Sequence, residues 1–162
     1  MLKRSFDILF SFVGLLVLLP LFALIALLIK LDSKGPIFYK GWRVGRFGKP
    51  FIMYKFRTMV AGADKLGSAS TPADDPRITK VGRFLRDRYR LDELPQLINI
   101  LKGDMSFVGP RPEALEYVAL YSEEEKAIFS VCPGLTDYAS IWDLNEGEIL
   151  GGSKDPDKDY IE

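Results

Sequence analysis

Histidine is absent from the 162-residue sequence, and cysteine occurs once, as Cys132. Without histidine the chain cannot form a Ser-His-Asp or Cys-His nucleophile pair, an imidazole general base or a histidine-containing metal site. A single cysteine excludes an internal disulfide and a zinc site built from several thiolates. Phosphate-binding loops of the Walker and GxGxxG types are also missing. Any chemistry must therefore use carboxylates, amines, guanidinium groups, hydroxyls or a hard metal ion.

The charges of the chain cancel in number but are segregated along it. Residues 40–102 carry 14 basic and 6 acidic side chains, a net charge of +8, whereas residues 103–162 carry 4 and 14, a net charge of −10. The basic middle predicts an anionic partner, which the charge pattern leaves open between nucleic acid, phospholipid headgroups and a phosphorylated small molecule. The acidic end is typical of a solvated surface.

Residues 8–29 form an uncharged apolar run of 22 residues. As a straight helix this run would be roughly 33 Å long, close to the thickness of the hydrocarbon core of a bilayer. It lacks the small-residue cleavage site of a signal peptide, and it has no polar face to meet water. Basic residues flank both ends, and Pro20 interrupts the middle. We therefore expect a membrane helix that is either re-entrant at Pro20, with both ends cytoplasmic, or kinked and single-pass.

Two extended segments, Pro36–Arg43 and Pro50–Arg57, flank the glycine-rich turn Val44–Lys49 and predict a β-hairpin. In the second strand Lys55 and Arg57 are two residues apart, so they are expected on the same face. Two such cations can bind a phosphate or another part of a substrate. Cations on an ordinary solvated face would give the same pattern.

The rest of the sequence predicts helices and one long loop. The loop, rich in Gly, Ala, Ser, Pro and Asp, is expected over residues 60–76, and a basic amphipathic helix over 78–90 would lie near the membrane surface. Further helices are expected over Leu94–Leu101 and from Pro112 to about Phe129. A chain of this length supports one modest domain. With these helices around the hairpin, we predict that this domain has a mostly helical α+β fold.

The first candidate for chemistry is the acidic pair Asp92-Glu93. Pro95 favours the first turn of a helix, so the pair lies at the positive end of the helix dipole, near Arg88 and Arg90. An ionised aspartate can attack phosphorus, and a second carboxylate can hold Mg²⁺. Ordinary acidic residues at a helix start would look the same.

The second candidate is Arg111, which lies between two prolines in Gly109–Pro112. Each proline fixes its own φ and restricts the residue before it, so Arg111 lies on a stiff backbone. Its planar guanidinium suits bidentate contact with phosphate oxygens. The alternative is a rigid turn with a solvent-facing arginine.

Several longer segments carry a resemblance to a known family. Besides the apolar run with Pro20, they are Tyr54–Met59, Asp75–Arg86, Leu91–Leu97, Lys102–Glu113 and Pro133–Thr136. In this order and at these spacings, the segments resemble the bacterial sugar transferases, which are monotopic polyprenyl-phosphate phosphoglycosyl transferases. The resemblance covers about residues 1–136.

The resemblance implies an enzyme on the cytoplasmic face of the bacterial inner membrane. It would transfer a sugar 1-phosphate from a UDP-sugar to a polyprenol phosphate such as undecaprenyl phosphate, the first membrane step of glycoconjugate assembly. Asp92 would form a covalent phosphosugar intermediate and release UMP, Glu93 would hold Mg²⁺, and Arg111 would contact phosphate. The resemblance also implies a re-entrant membrane helix over residues 1–33 and a catalytic domain over residues 34–162.

The sequence departs from the family pattern at three places. Leu19 replaces the serine before the proline of the helix break, Asp137–Trp142 replaces a Gly-Trp-Ala-Gln stretch, and Glu162 comes before the family's C-terminal helices. Two alternatives stay open: a non-catalytic, membrane-anchored anion-binding module and an inactive member that acts as a scaffold. We expect no nucleic-acid partner, while the amphipathic face fits membrane lipid or a homodimer. Recognition of the sugar is expected in residues 60–76 and after Pro133.

Overall fold

The computed structural model describes residues 2–66, 71–87, 90–137 and 158, without the side chains of Asp64 and Asp87. These residues contain the helices α1 (Leu2–Asp32), α2 (Lys80–Asp87), α3 (Gln96–Lys102) and α4 (Leu115–Val118) and the strands β1 (Phe38–Val44), β2 (Pro50–Phe56), β3 (Ser106–Val108) and β4 (Gly134–Thr136). Short 3-10 turns lie at Arg46–Gly48, Ala63–Lys65, Leu91–Glu93 and Glu125–Ser130. The fold is α+β, as predicted, with about half of these residues helical. Arg88, residues 67–70 of the expected loop and residues 138–142 lie outside the described part.

The apolar N-terminal run lies within α1, a single helix that continues through Pro20. Within the described residues, α1 is the one helix long and apolar enough to cross a membrane. Most of its large apolar side chains are exposed, and its buried residues are Asp7, Ser11, Ile25 and Ile29. A helix with one narrow buried stripe and an exposed apolar remainder fits a domain on one side and lipid on the other. A return of the chain at Pro20 stays a prediction.

Two clusters form the core, and α1 packs against both of them. The buried residues of the first cluster are Phe51, Met53, Leu97, Ile100 and Met105. The buried residues of the second are Ile25, Ile29, Phe56 and Leu85. Leu15 and Leu18 of α1 pack on the first cluster, and Leu21 and Phe22 pack on the second. Both halves of α1 therefore lie against the same domain.

The predicted β-hairpin is confirmed. β1 and β2 pair antiparallel, with Phe38 opposite Phe56 and Val44 opposite Pro50. Phe51 and Met53 of β2 face the first core cluster, which brings the strand against α3. The hairpin thus places β2 beside the helix that follows the acidic pair.

The predicted helix over Leu94–Leu101 is confirmed as α3, which ends at Gly103 in a left-handed conformation (φ 96°). The predicted basic helix is observed as α2, which is shorter than expected. In α2, Leu85 is buried in the second core cluster, whereas its neighbour Phe84 is 64% exposed. Contact of Phe84 with a membrane surface stays a prediction.

The predicted helix from Pro112 to Phe129 is wrong. The structure has only the single turn α4 in its first half and the 3-10 segment Glu125–Ser130 in its second. Ser122 and Glu125 explain the interruption: the Ser122 N–H donates to the Glu125 carboxylate (2.7 Å), and the Glu125 N–H donates to Ser122 Oγ (3.3 Å). This reciprocal pair is a capping box, which starts a new helical turn.

Candidate active site

Asp92 and Glu93 lie in the Leu91–Glu93 turn, immediately before α3. Each residue is 7% exposed. The turn follows Arg90, whose φ of 44° lies in the left-handed region that non-glycine residues rarely adopt. Pro95 then begins the helix with a helical φ of −61°. The acidic pair is thus buried in a 3-10 turn that follows a left-handed residue, rather than exposed at an ordinary helix start.

Glu93 is the point at which two predicted phosphate-binding cations meet. Lys55 Nζ of β2 lies 2.8 Å from Glu93 Oε1, and Arg111 Nη2 lies 3.3 Å from the same oxygen. The Arg111 side chain keeps 39% of its surface exposed. The structure therefore brings Lys55, Glu93 and Arg111 together from three separate parts of the chain.

The pKa values of the two neighbouring carboxyl groups are shifted in opposite directions. Burial acts to raise the pKa of Glu93, but the charges of Lys55 and Arg111 outweigh it and lower this pKa to about 2. Burial raises the pKa of Asp92, and the ionised Glu93 adds to that rise, against the opposing charges of Lys55 and Arg86. Among the described residues, no side chain donates a hydrogen bond to the Asp92 carboxylate. Glu93 is thus a fixed anion, and Asp92 is the carboxyl group that keeps its oxygens available.

Two further arginines act on the pair. Sequence analysis expected Arg90 beside it but did not name Arg86. The charge of Arg86, on α2, acts on Asp92, and that of Arg90 acts on Glu93. Arg86 Nη2 also donates to the carbonyl of Thr71 (3.2 Å). Several arginines lie close together between residues 83 and 90, so the sequence could not indicate which of them face the site.

Arg57 has a different environment from Lys55, although it is only two residues away. It is 5% exposed. Its guanidinium donates to the carbonyls of Lys34 (2.7 Å) and Ser33 (2.8 Å), just after α1. β2 ends at Phe56, so strand alternation no longer fixes where Arg57 points. The two cations therefore do not converge on Glu93, and substrate contact by Arg57 stays a prediction.

Arg111 follows β3, which belongs to a short parallel pair of strands that sequence analysis did not predict. β3 pairs with β4, the Gly134 N–H donates to Pro110 O (2.9 Å), and the Gly109 N–H donates to Thr136 O (3.1 Å). A Cβ on Gly134 would collide with the backbone of Gly109, so the two segments approach as closely as only glycine allows. The Arg111 N–H also donates to Asp137 Oδ2 (3.0 Å).

A cleft opens beside Arg111. Its lining is mainly apolar and aromatic and comes from the hairpin turn, the Pro-Arg-Pro segment and the 3-10 segment, including Val44, Pro110, Tyr121, Ile128, Phe129 and Pro133. The rings of Tyr121 and Phe129 stack with centroids 6.0 Å apart. The cleft gives an apolar space next to the cation that pairs with Glu93.

A caged metal site is absent from the described residues, because no three His, Cys, Asp or Glu side chains group there. Mg²⁺ is nevertheless commonly held by one or two carboxylates together with substrate phosphates and water. Glu93 Oε1 accepts from both cations, whereas its Oε2 has no donor in the described part of the chain. The residues therefore fit an Mg²⁺ that brings phosphate and water ligands with it.

Comparison with known proteins places this chain in a family. A profile for the bacterial sugar transferases matches residues 1–162. The chain is 45% identical over 145 residues to the UDP-glucose:undecaprenyl-phosphate glucose-1-phosphate transferase of Escherichia coli (strain K12), covering 87% of this chain and 31% of that protein. It is 38% identical over 143 residues to the UDP-N-acetylgalactosamine-undecaprenyl-phosphate N-acetylgalactosaminephosphotransferase of Aeromonas hydrophila, covering 86% and 34%.

A third relative is the exopolysaccharide production protein PSS of Rhizobium leguminosarum bv. phaseoli. It is 47% identical over 147 residues, which cover 86% of this chain and 73% of that protein. The chain thus spans about a third of the E. coli and Aeromonas relatives and most of the Rhizobium one. The profile match over the full length shows that the chain belongs to the bacterial sugar transferase family.

Proposed function

We propose that this chain transfers a sugar 1-phosphate from a UDP-sugar to undecaprenyl phosphate, the reaction that the names of its relatives describe for those proteins. The observation that carries the proposal is the contrast between the two carboxyl groups. Glu93 is held ionised by Lys55 and Arg111, whereas no described side chain donates to Asp92. The one donor to the Asp92 carboxylate in the described residues is its own backbone N–H, so this carboxylate keeps lone pairs for attack on an electrophile.

Transfer consists of two displacements at one phosphorus. In the first, an Asp92 carboxylate oxygen bonds to the β-phosphorus of the UDP-sugar, and the bond to the bridging oxygen breaks. That oxygen leaves with its electron pair as part of UMP. In the second, a phosphate oxygen of undecaprenyl phosphate bonds to the same phosphorus, and the bond to Asp92 breaks, which restores the carboxylate. Because the nucleophile and the acceptor are both anions, neither step needs an imidazole base.

The surrounding cations offset the charge on the transferring phosphoryl group. Arg111 is half-exposed and can contact a phosphate while it remains near Glu93. The charges of Lys55 and Arg86 favour the ionised, attacking form of Asp92 against the effect of burial. An Mg²⁺ held by the Glu93 carboxylate would supply positive charge to phosphate oxygens. Positioning and charge are most of what phosphoryl transfer requires of a protein.

The contacts of α1 support a membrane-surface enzyme with both helix ends on one side. Near its N-terminus, Arg4 donates to the carbonyls of Ile100 (2.6 Å) and Leu101 (2.8 Å). At its C-terminus, Asp32 accepts from the Val81 N–H (3.1 Å). A spanning helix would place about 30 Å of hydrocarbon between its ends, and one water-soluble domain could not contact both. These contacts support both ends on one side of the membrane, and we propose that this side, with the site, is the cytoplasmic face of the inner membrane.

This topology has a direct test in cells. Because both ends contact one domain, a cysteine introduced at Ser5 and one introduced at Lys34 are both expected to resist a membrane-impermeant thiol reagent added outside the cell. Cys132 would be replaced by serine in both variants. Labelling of the Ser5 position from outside would instead mean that Pro20 only kinks a spanning helix.

The nucleophile is tested with a UDP-sugar labelled in its β-phosphate. UMP release and label on the protein are measured on the full chain in membranes, with undecaprenyl phosphate and Mg²⁺, across a panel of UDP-sugars. Asp92→Asn is expected to abolish both signals, because the amide cannot form the acyl phosphate. Glu116→Gln changes an exposed carboxylate outside the segments expected to recognise the sugar and serves as the control.

Two outcomes would count against the proposal. UMP release by Asp92→Asn at the rate of the unmodified chain would remove Asp92 as the nucleophile. An absence of UMP release from the unmodified chain with every UDP-sugar in the panel would favour the scaffold alternative. A product that depends on one sugar would identify the substrate that the sequence leaves open.

A further inference from the structure

The end of α1 meets two other elements at one place, which we call the exit junction (Asp32, Ser33, Lys34, Arg57 and Val81). Arg57 Nη1 donates to Lys34 O (2.7 Å), and Nη2 donates to Ser33 O (2.8 Å) and Ser33 Oγ (2.9 Å). Asp32 Oδ2 accepts from the Val81 N–H (3.1 Å), at the start of α2. The end of β2 and the start of α2 are thus both attached to the last residues of the membrane helix.

The exit junction is closely packed. A Cβ on Gly35 would collide with Arg57 Nη1, and a Cβ on Gly82 would collide with the backbone of Thr58. The Thr79 N–H donates to Thr58 O (3.0 Å), which joins the start of α2 to the end of β2. With so little free space, these elements cannot shift independently of one another.

The same two elements carry cations of the candidate active site. Lys55, on β2, precedes Arg57 by two residues, or about 7 Å of extended chain, and Arg57 follows the last residue of the strand. On α2, Arg86 follows Val81 by five residues, about 7.5 Å along a helix. Lys55 pairs with Glu93, and the charge of Arg86 acts on Asp92. A small rotation of either element at the exit junction would therefore move a cation at the site.

We propose that Asp32 and Arg57 are positioning residues for phosphosugar transfer. By attaching α2 and β2 to the end of the membrane helix, they hold α2 against the Leu91–Glu93 turn and Lys55 on Glu93. The proposal rests on the proposed function and gives the membrane helix a role in catalysis besides attachment. Displacements of about 1 Å at a catalytic group can lower a rate by about 10²-fold, so even a slight loosening is measurable.

The first test compares Asp32→Ala with Asp32→Asn. Asparagine still offers an oxygen to the Val81 N–H, whereas alanine does not. We expect Asp32→Ala to lower kcat about tenfold with KM for the UDP-sugar nearly unchanged, because substrate binding groups remain while the attacking geometry is disturbed. Asp32→Asn is expected to restore most of kcat. Equal losses in the two variants, or a loss confined to KM, would overturn the proposal.

A double-mutant cycle separates positioning from a general loss of structure. If Asp32 acts through Arg86, adding Asp32→Ala to a chain that already carries Arg86→Ala should lower kcat little further. If the two residues act independently, the two losses of kcat should multiply. Arg57→Lys provides a second cycle with Lys55→Ala, since one ammonium group cannot reproduce the two-pronged contact of the guanidinium. This second cycle also tests the proposal if the Asp32→Ala variant does not fold. Multiplicative losses in the cycles would overturn the proposal.

Hydrogen exchange gives a readout that needs no turnover. In the full chain, Asp32→Ala should speed amide exchange in α2 and in the Leu91–Glu93 turn, and Asp32→Asn should not. Unchanged exchange in that turn would overturn the positioning role, whatever the activity. Absence of UMP release from the unmodified chain would instead contradict the proposed function. The exchange result would still show whether Asp32 stabilises the Leu91–Glu93 turn.

Discussion

Basic side chains serve two regions of this molecule in different ways. At the candidate active site, Lys55 and Arg111 pair with the carboxylate of Glu93 and keep part of their surface exposed. At the exit junction, Arg57 is almost fully buried and donates to the backbone carbonyls of Ser33 and Lys34. The first arrangement sets charge and leaves donors for a substrate. The second fixes the path of the backbone through both terminal nitrogens of the guanidinium.

The ion pair of Asp75 and Arg77 resembles the exit junction, because its charged groups also hold the backbone in place. Asp75 is buried and Arg77 is partly buried. Arg77 Nη2 lies 2.6 Å from Asp75 Oδ2, and Arg77 Nη1 donates to Ala63 O (3.0 Å). These contacts close the loop that precedes α2. The comparison therefore predicts that losing a site charge lowers activity directly, whereas losing an anchoring charge lowers stability and, at the exit junction, affects activity only through the position of the site residues.

The largest expected effect tests the site side of this comparison. Glu93→Gln removes the anion that Lys55 and Arg111 share, and it weakens the proposed Mg²⁺ contact. We expect kcat to fall by about 10²–10³-fold, or about 3–4 kcal/mol of activation free energy. UMP release measures the rate, and thermal unfolding of the same sample measures stability.

The matched control for this change is Glu116→Gln, on the exposed surface of α4. It is expected to leave both the rate and the unfolding temperature unchanged. If Glu93→Gln unfolded the protein but kept kcat in the folded fraction, Glu93 would belong with the anchoring charges. The division between the two regions would then be wrong.

Sequence reasoning located the individual site residues better than their connections. Asp92, Glu93 and Arg111 could be chosen because carboxylate pairs and proline-flanked arginine carry a chemical meaning within a few residues. That Lys55 and Arg111 share one oxygen of Glu93 depends on contacts across 38 and 18 residues. Such contacts are set by the packing of the hairpin and of β3–β4, which local patterns do not encode.

The differences in fold have the same origin. β3 and β4 are three residues each, too short to show strand alternation. The expected helix to Phe129 was wrong because the Ser122–Glu125 capping box outweighs helical periodicity. Arg57 was grouped with Lys55 by strand alternation, but the strand ends between them. In each case a contact specific to the folded chain decides the outcome.

A smaller effect tests the anchoring side of the comparison. Asp75→Asn removes the charge that accepts the Arg77 hydrogen bonds, which are made in a buried setting. We expect a loss of about 2 kcal/mol in the free energy of unfolding, typical of a buried hydrogen bond to a charged group. Denaturant unfolding measures it. The exposed pair Lys126–Glu123 provides the control, since Lys126→Ala is expected to give no measurable change.

The pH dependence of this difference identifies its cause. Hydrogen bonding from Arg77 lowers the pKa of Asp75, although burial opposes the shift. Because the pKa is lower in the folded chain, the stabilisation is complete above the ordinary aspartate value and is lost as the pH falls through the lowered one. The stability gap between the unmodified chain and Asp75→Asn should therefore be constant at neutral pH and shrink in acid. A gap that stays constant into acid would assign the loss to packing, and Asp75 would then not be an anchoring charge.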